Sequence, residues 1–149
     1  MAVTFAAILD GIATTLSTAT GIKTTMSYDQ LTEGIPGTDL PRLQVYPESL
    51  GGDPNSRTDR SAFNAAMQLQ EFVVFVDVFA SKRQHIAQDM TAVVDTLDNL
   101  VNVLQAEEKP PFFGVSGIKS FSWAWKRAVL RYGTITYMGG RFTILTRIA

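Results

Sequence analysis

Hydrophobic positions alternate in twos from Gln70 to Phe79 and then recur in threes and fours as far as Leu104, so a strand running into an amphipathic helix is the expected centre of the fold. In the strand, Phe72, Val74, Val76 and Val78 share one wholly apolar face, while Glu71, Val73, Phe75, Asp77 and Phe79 share a mixed one. β-Branched and aromatic residues fill the run, which suits a central pleated strand. Ser81-Lys82-Arg83-Gln84 has the form of a capping box, which puts the helix start at Ser81 after a turn of a residue or two. Beyond it Ile86, Met90, Val93, Val94, Leu97, Leu100, Val101 and Leu104 form one stripe, with His85, Gln88, Asp89, Asp95, Asp98, Asn99 and Asn102 on the other side. Burying about eight such side chains contributes on the order of 1.5 to 3 kcal/mol each before conformational entropy is subtracted. The apolar face of the strand is the natural surface to receive them.

An N-terminal helix is expected after Thr4, a capping residue, because Phe5, Ile8, Leu9, Ile12 and Leu16 recur at helical spacing, with Gly21 past the end. Thr24 to Pro41 turns to Thr, Ser, Gly, Pro and Asp and reads as an irregular connection. Leu43, Val45 and Tyr46 then alternate with Gln44 as a short strand that Pro47 must end or push to a sheet edge. Gly51 to Arg60 is polar and turn-rich and should project from the body. Ser61 to Gln70, with Phe63, Met67 and Leu69, carries the chain back to the Phe72 strand. Pro110-Pro111 stops the long helix.

Farther on, Phe121, Trp123 and Trp125 alternate with Ser122, Ala124 and Lys126, and the strand pattern continues through Val129, Leu130 and Tyr132. Met138-Gly139-Gly140 reads as a tight turn leading from Ile135 and Tyr137 into Phe142, Ile144 and Ile148, which makes a C-terminal hairpin. Strands adjacent in sequence pair antiparallel. The sum is one α+β domain over residues 1–149: a sandwich of mostly antiparallel sheet covered by two amphipathic helices, with a long protruding loop. The second sheet face, carrying Val73, Phe75 and Phe79, is short of cover, and such a face marks an assembly surface.

Composition narrows the function more than it names it. Hydrophobic residues at 46% and charged residues at 18% place the chain among globular domains that build their own core. Thirteen basic residues against fourteen acidic ones leave a net charge of -1, so the overall field that draws nucleic acid is missing. The sequence has no cysteine, which excludes disulfide scaffolds, thiolate metal sites and cysteine nucleophiles. Met1 to Leu16 is apolar but lacks a basic leader, the first lysine being Lys23, and is read as a mature helix and not an export signal, with cytoplasm as the default compartment. No run of about 20 apolar residues predicts a membrane span.

A search for catalytic groups returns little. His85 is the single histidine and sits on the polar side of the helix, where a solvated residue is a better account than a general base. No serine lies in a Gly-x-Ser-x-Gly elbow, and the pairs Gly51-Gly52 and Gly139-Gly140 lack the neighbours that cradle phosphate. Asp89, Asp95 and Asp98 are spread along an exposed helix without the clustering that a hard cation needs. Asp77 is different, because a carboxylate on an otherwise apolar strand must find a partner, expected in Arg127, Arg131 or a neighbouring subunit. Trp123 and Trp125 suit a core or a subunit interface better than base stacking. No catalytic, cofactor-binding or metal site is expected. The rival enzyme, a small hydrolase using His85 and Asp77, requires a pocket that brings the two within hydrogen-bond reach.

The layout resembles the tail terminator proteins of long-tailed bacteriophages, also called tail completion or minor tail proteins. The likeness spans nearly the whole chain and is one of pattern. It lies in the short N-terminal helix, the Pro41-Arg42-Leu43-Gln44-Val45-Tyr46-Pro47 strand with its projecting loop, the Phe72 to Phe79 strand entering a helix, and the Tyr137-Met138-Gly139-Gly140-Arg141-Phe142 segment. It implies a virion protein assembled in the host cytoplasm, whose copies form a hexameric ring that caps the tail tube and receives the head connector while DNA passes through the lumen. A near-neutral protein suits such a channel, since strong phosphate contacts would hold the DNA. A ring needs two different complementary surfaces on each copy. The interface candidates are Arg57, Asp59, Arg60, Phe63, Asp77, Trp123, Trp125 and Arg141. A head-tail connector, an adaptor or a tail tube subunit would share this composition, and a tube subunit would polymerise where a terminator stops at one ring.

Overall fold

The computed structural model describes residues 3–31, 40–51, 70–82, 86–132 and 135–148. Arg57, Asp59 and Arg60 of the projecting loop and Phe63 of the segment after it lie outside the described residues, as does His85. The elements in order are helix α1 (Phe5–Leu16), strands β1 (Thr24–Met26), β2 (Arg42–Gly51) and β3 (Gln70–Lys82), helix α2 (Ile86–Ala106), a 3-10 turn (Phe112–Gly114), and strands β4 (Ile118–Tyr132) and β5 (Ile135–Ile148). The strands form one five-stranded sheet in the order β1-β2-β3-β5-β4. β1 runs parallel to β2, and every other pairing is antiparallel. This is the α+β fold with two amphipathic helices that the hydrophobic pattern predicts.

α1 starts where Thr4 accepts a hydrogen bond on Oγ1 from the Ala7 amide, 3.1 Å away, satisfying one of the donors that a first helical turn leaves open. Its apolar stripe of Ile8, Leu9, Ile12 and Leu16 is buried. α1 packs on β2, and α2 packs on β3 and β5, so both helices cover the same sheet face. Phe72, Val74, Val76 and Val78 of β3 join Leu43, Val45, Phe142 and Ile144 from the flanking strands beneath Leu100 and Leu104 of α2. The ring of Phe5 meets that of Phe72 edge-on, with centroids 5.0 Å apart.

Four sequence expectations are corrected. A three-residue strand, β1, lies inside the stretch read as irregular; Thr24, Thr25 and Met26 pair with Arg42, Leu43 and Gln44. β2 is not the short strand expected but continues to Gly51, with a register shift between Pro47 and Ser49; of the two outcomes expected for Pro47, the edge position is the one that holds. The proline is tolerated because β1 pairs only as far as Gln44, so among the described residues β2 is an edge strand at that point. Ser81 caps no helix: it belongs to β3, opposite Met138, and α2 begins at Ile86. Its hydroxyl instead donates to Asp89 Oδ1 at 3.1 Å. Asp89 is accordingly buried and not on the water side, whereas Val94 of the expected stripe is 48% exposed.

The fourth correction concerns Gly139-Gly140, which makes no turn. Both residues lie inside β5, paired with Phe79 and Val78 on one side and with Ala128 and Arg127 on the other. The chain reverses between Tyr132 and Ile135, which face each other across the β4–β5 pair. The glycines serve close approach. A Cβ on Gly139 would stand 1.7 Å from the Val78 carbonyl oxygen, and one on Gly140 would stand 2.4 Å from the indole of Trp125. Gly139→Ala is therefore expected to cost on the order of 3 kcal/mol or more, since backbone must move. Gly140→Ala should cost less and shift the Trp125 fluorescence. Urea unfolding followed by tryptophan emission checks both.

Candidate functional site

The alternation of β3 puts Val73, Phe75, Asp77 and Phe79 on the sheet face away from the helices. Register then builds a row of polar side chains across four strands of this outer face: Gln44 opposite Asp77, Asp77 opposite Arg141, and Arg141 opposite Lys126. Asp77 is only 6% exposed, so its charge needs compensation within the fold. Arg141 supplies it, with Nε donating to Oδ1 at 2.7 Å and Nη2 donating to Oδ2 at 3.2 Å. The Tyr46 hydroxyl donates to Asp77 Oδ2 and in turn accepts from Arg141 Nη2.

Aromatic rings complete the setting. The Arg141 guanidinium carbon lies 4.4 Å from the centroid of the Phe75 ring and 5.7 Å from that of Tyr46. A flat, weakly hydrated cation sits well on such a surface. Burial first, and then the hydrogen bond and charge of Asp77, push the Tyr46 hydroxyl well above its ordinary value of 10.0. The hydrogen bond to Asp77 raises Arg141 in turn. The arginine side chain is still 39% exposed, so the cluster has a protein-facing side and a solvent-facing side.

A cleft of about 460 Å³ opens beside it, lined by Gln44, Tyr46, Asp77, Arg141, Leu130 and Tyr132 among others. Gln44 is buried, and its Oε1 has no hydrogen-bond partner among the described residues. An unmet acceptor costs about 1–3 kcal/mol, so a donor from outside the described residues would be held there. A larger groove, about 880 Å³, lies elsewhere, between α1 and residues 113–117, and Asp10 is the one titratable residue among the described residues that line it. Chemistry and volume therefore do not coincide. Convergent charged and polar groups such as those beside Asp77 orient a partner where an apolar groove does not.

The structure unites Asp77 and Arg141 from the sequence candidates and adds Tyr46. The expected partners Arg127 and Arg131 are corrected. Both sit on β4, and β5 separates β4 from β3, so they stand roughly 9 to 10 Å away in strand spacing alone. Trp123 and Trp125 lie on the helix side, half-buried against the main core, with Trp123 edge-on to Phe142 at 5.7 Å. With Gly139-Gly140 read as a turn, Arg141 has no place opposite Asp77; with the pair inside β5 it does. Tyr46 carried no signal beyond its place in a strand.

Among the described residues no group of three or more His, Asp or Glu side chains is placed to hold a metal ion. No described helix is long and apolar enough to cross a membrane. Comparison with protein-family models and with curated proteins returns no match.

The cluster generates two expectations. Arg141→Ala strands a buried carboxylate and should destabilise by about 2–4 kcal/mol, whereas Asp77→Ala leaves a cation that can turn to water and should cost roughly half as much. Equilibrium urea unfolding distinguishes the two. The raised Tyr46 means that the folded state holds its proton more tightly than the unfolded chain. Its contribution to stability is thus complete below pH 10 and is lost as the pH climbs beyond it. In an alkaline absorbance titration, Tyr46→Phe should remove one tyrosine that ionises above its ordinary value and flatten the fall in stability above that pH.

Proposed function

We propose that this chain is a structural virion subunit of the tail-terminator kind. Copies close into a ring, expected to be hexameric, at the end of the tail tube and offer a surface to the head connector. The observation that carries the reading is the outer sheet face. No described helix lies on it, and it holds the half-buried apolar side chains Val73, Phe75 and Leu145 around a clamped, partly exposed arginine. An apolar patch with oriented polar groups and an unmet acceptor at Gln44 is what a protein partner would complete.

The charges of this face also suit a partner that is protein and not nucleic acid. Asp77 neutralises Arg141, and Glu71 pairs with Arg147 at 3.2 Å. Two cations of this face are thereby paired and Lys126 on β4 remains, a weak grip on phosphate in keeping with a net charge of -1 and a passage through which DNA slides. In this reading the outer face docks the tube or the connector. Ring closure needs two further surfaces on each copy.

Native mass spectrometry of the purified protein should give one closed species at an integer multiple of 16.3 kDa. Electron microscopy with tail tubes should show it at one end of each tube. Leu145→Glu should weaken tube binding by about tenfold or more while the ring mass persists. Filaments of indefinite length would identify a tube subunit instead, and a monomer at tens of micromolar would overturn the ring.

A further inference from the structure

The balanced total charge conceals a strong separation. β4 carries Lys119, Lys126, Arg127 and Arg131 and no acidic residue, whereas α2 carries Asp89, Asp95 and Asp98 and no basic one. Asp95, Asp98, Arg127 and Arg131 are exposed. None of them forms an ion pair with another described residue.

The apolar exposure falls in the same two places. Val94 on α2 and Val129 on β4 are each 48% exposed, the highest value among the large hydrophobic side chains described. On β4, Arg127, Val129 and Arg131 share one face at intervals of roughly 6.5–7 Å, so a valine stands between two guanidinium groups. On α2, Asp98 stands one turn from Val94 and one turn from Asp95, at about 5–6 Å, so an exposed valine and two carboxylates crowd the same turn of helix. The two patches thus oppose in sign, each an exposed valine beside two like charges.

We infer that Arg127, Val129 and Arg131 on β4 of one copy dock against Val94, Asp95 and Asp98 on α2 of the next. The two valines exclude water at the centre, and the charges around them fix the orientation. Each copy carries one patch of each kind, which is what a head-to-tail contact requires. The inference rests on the ring reading for its occupant, a second copy of this chain, and on the structure for the residues.

The test is charge reversal with exchange. R127E/R131E and D95K/D98K change exposed residues only, and circular dichroism melting should show both variants folded. Each alone should self-associate about tenfold or more weakly and run near 16.3 kDa by light scattering, because like charges then meet at every contact. Mixed in equal amounts, the two should rebuild an assembly of alternating copies, and the quadruple variant should assemble by itself. Raising sodium chloride to about 1 M should weaken the wild-type contact, since screening then reaches within about 3 Å.

Folded variants that keep the wild-type mass, or that stay apart when mixed, would overturn the contact. Reversals that break the assembly and rescue it on mixing, in a protein that never binds tail ends, would uphold the contact and overturn the terminator reading. Reversals that leave an intact ring capping tails would do the opposite.

Discussion

A carboxylate placed in the middle of a sheet sets the terms for this fold. Asp77 is nearly inaccessible, and its charge is tolerable only because Arg141 stands opposite it on β5 and Tyr46 reaches it from β2. Three strands are thereby locked in one register. A slip of β5 by one residue would turn Arg141 to the helix side and bring Phe142 out of the core, so the apolar and the ionic requirements select the same pairing. The Gly139-Gly140 step acts with them, since it lets β5 lie close to the Val78 backbone and under the Trp125 ring immediately before Arg141.

Much of the architecture was legible because its signals are local and periodic. The alternation of Phe72 to Val78 and the stripes of α1 and α2 state which faces are buried, and the hydrophobic effect enforces them. The missed features depend on distance through space. β1 is three residues long and exists because β2 offers it an edge. Ser81 has good capping chemistry but was drawn into β3 by the pairing with β5, a case of tertiary context overriding a local signal. A glycine pair signals a turn or a close approach equally well, and only the Trp125 ring and the Val78 carbonyl decide between them. At the site, the need of Asp77 for a cation was readable, whereas the choice of Arg141 over Arg127 follows from strand order.

The two faces of the sheet divide the labour. The helix side is dry and apolar and supplies cohesion. The outer side binds Asp77, Tyr46 and Arg141 to one another, which orients Arg141 while leaving it partly exposed. It has a small apolar cluster of its own, in which Phe79, expected to be short of cover, is buried against Tyr137. Charge is partitioned as well, with acids along α2 and bases along β4. A molecule arranged in this way can present separate surfaces to different neighbours without becoming adhesive overall, because its total charge stays near zero.

Strand β2 bears on how copies can grow together. Past Gln44 it has no neighbour on its outer side among the described residues, and there the chain places Pro47, which has no amide hydrogen, followed by a break in register. An approaching strand would find no continuous ladder to extend. Open-ended fibre formation by backbone templating is blocked along that margin, and contact there must proceed through side-chain fit, where curvature can bring a chain of copies back to its own beginning.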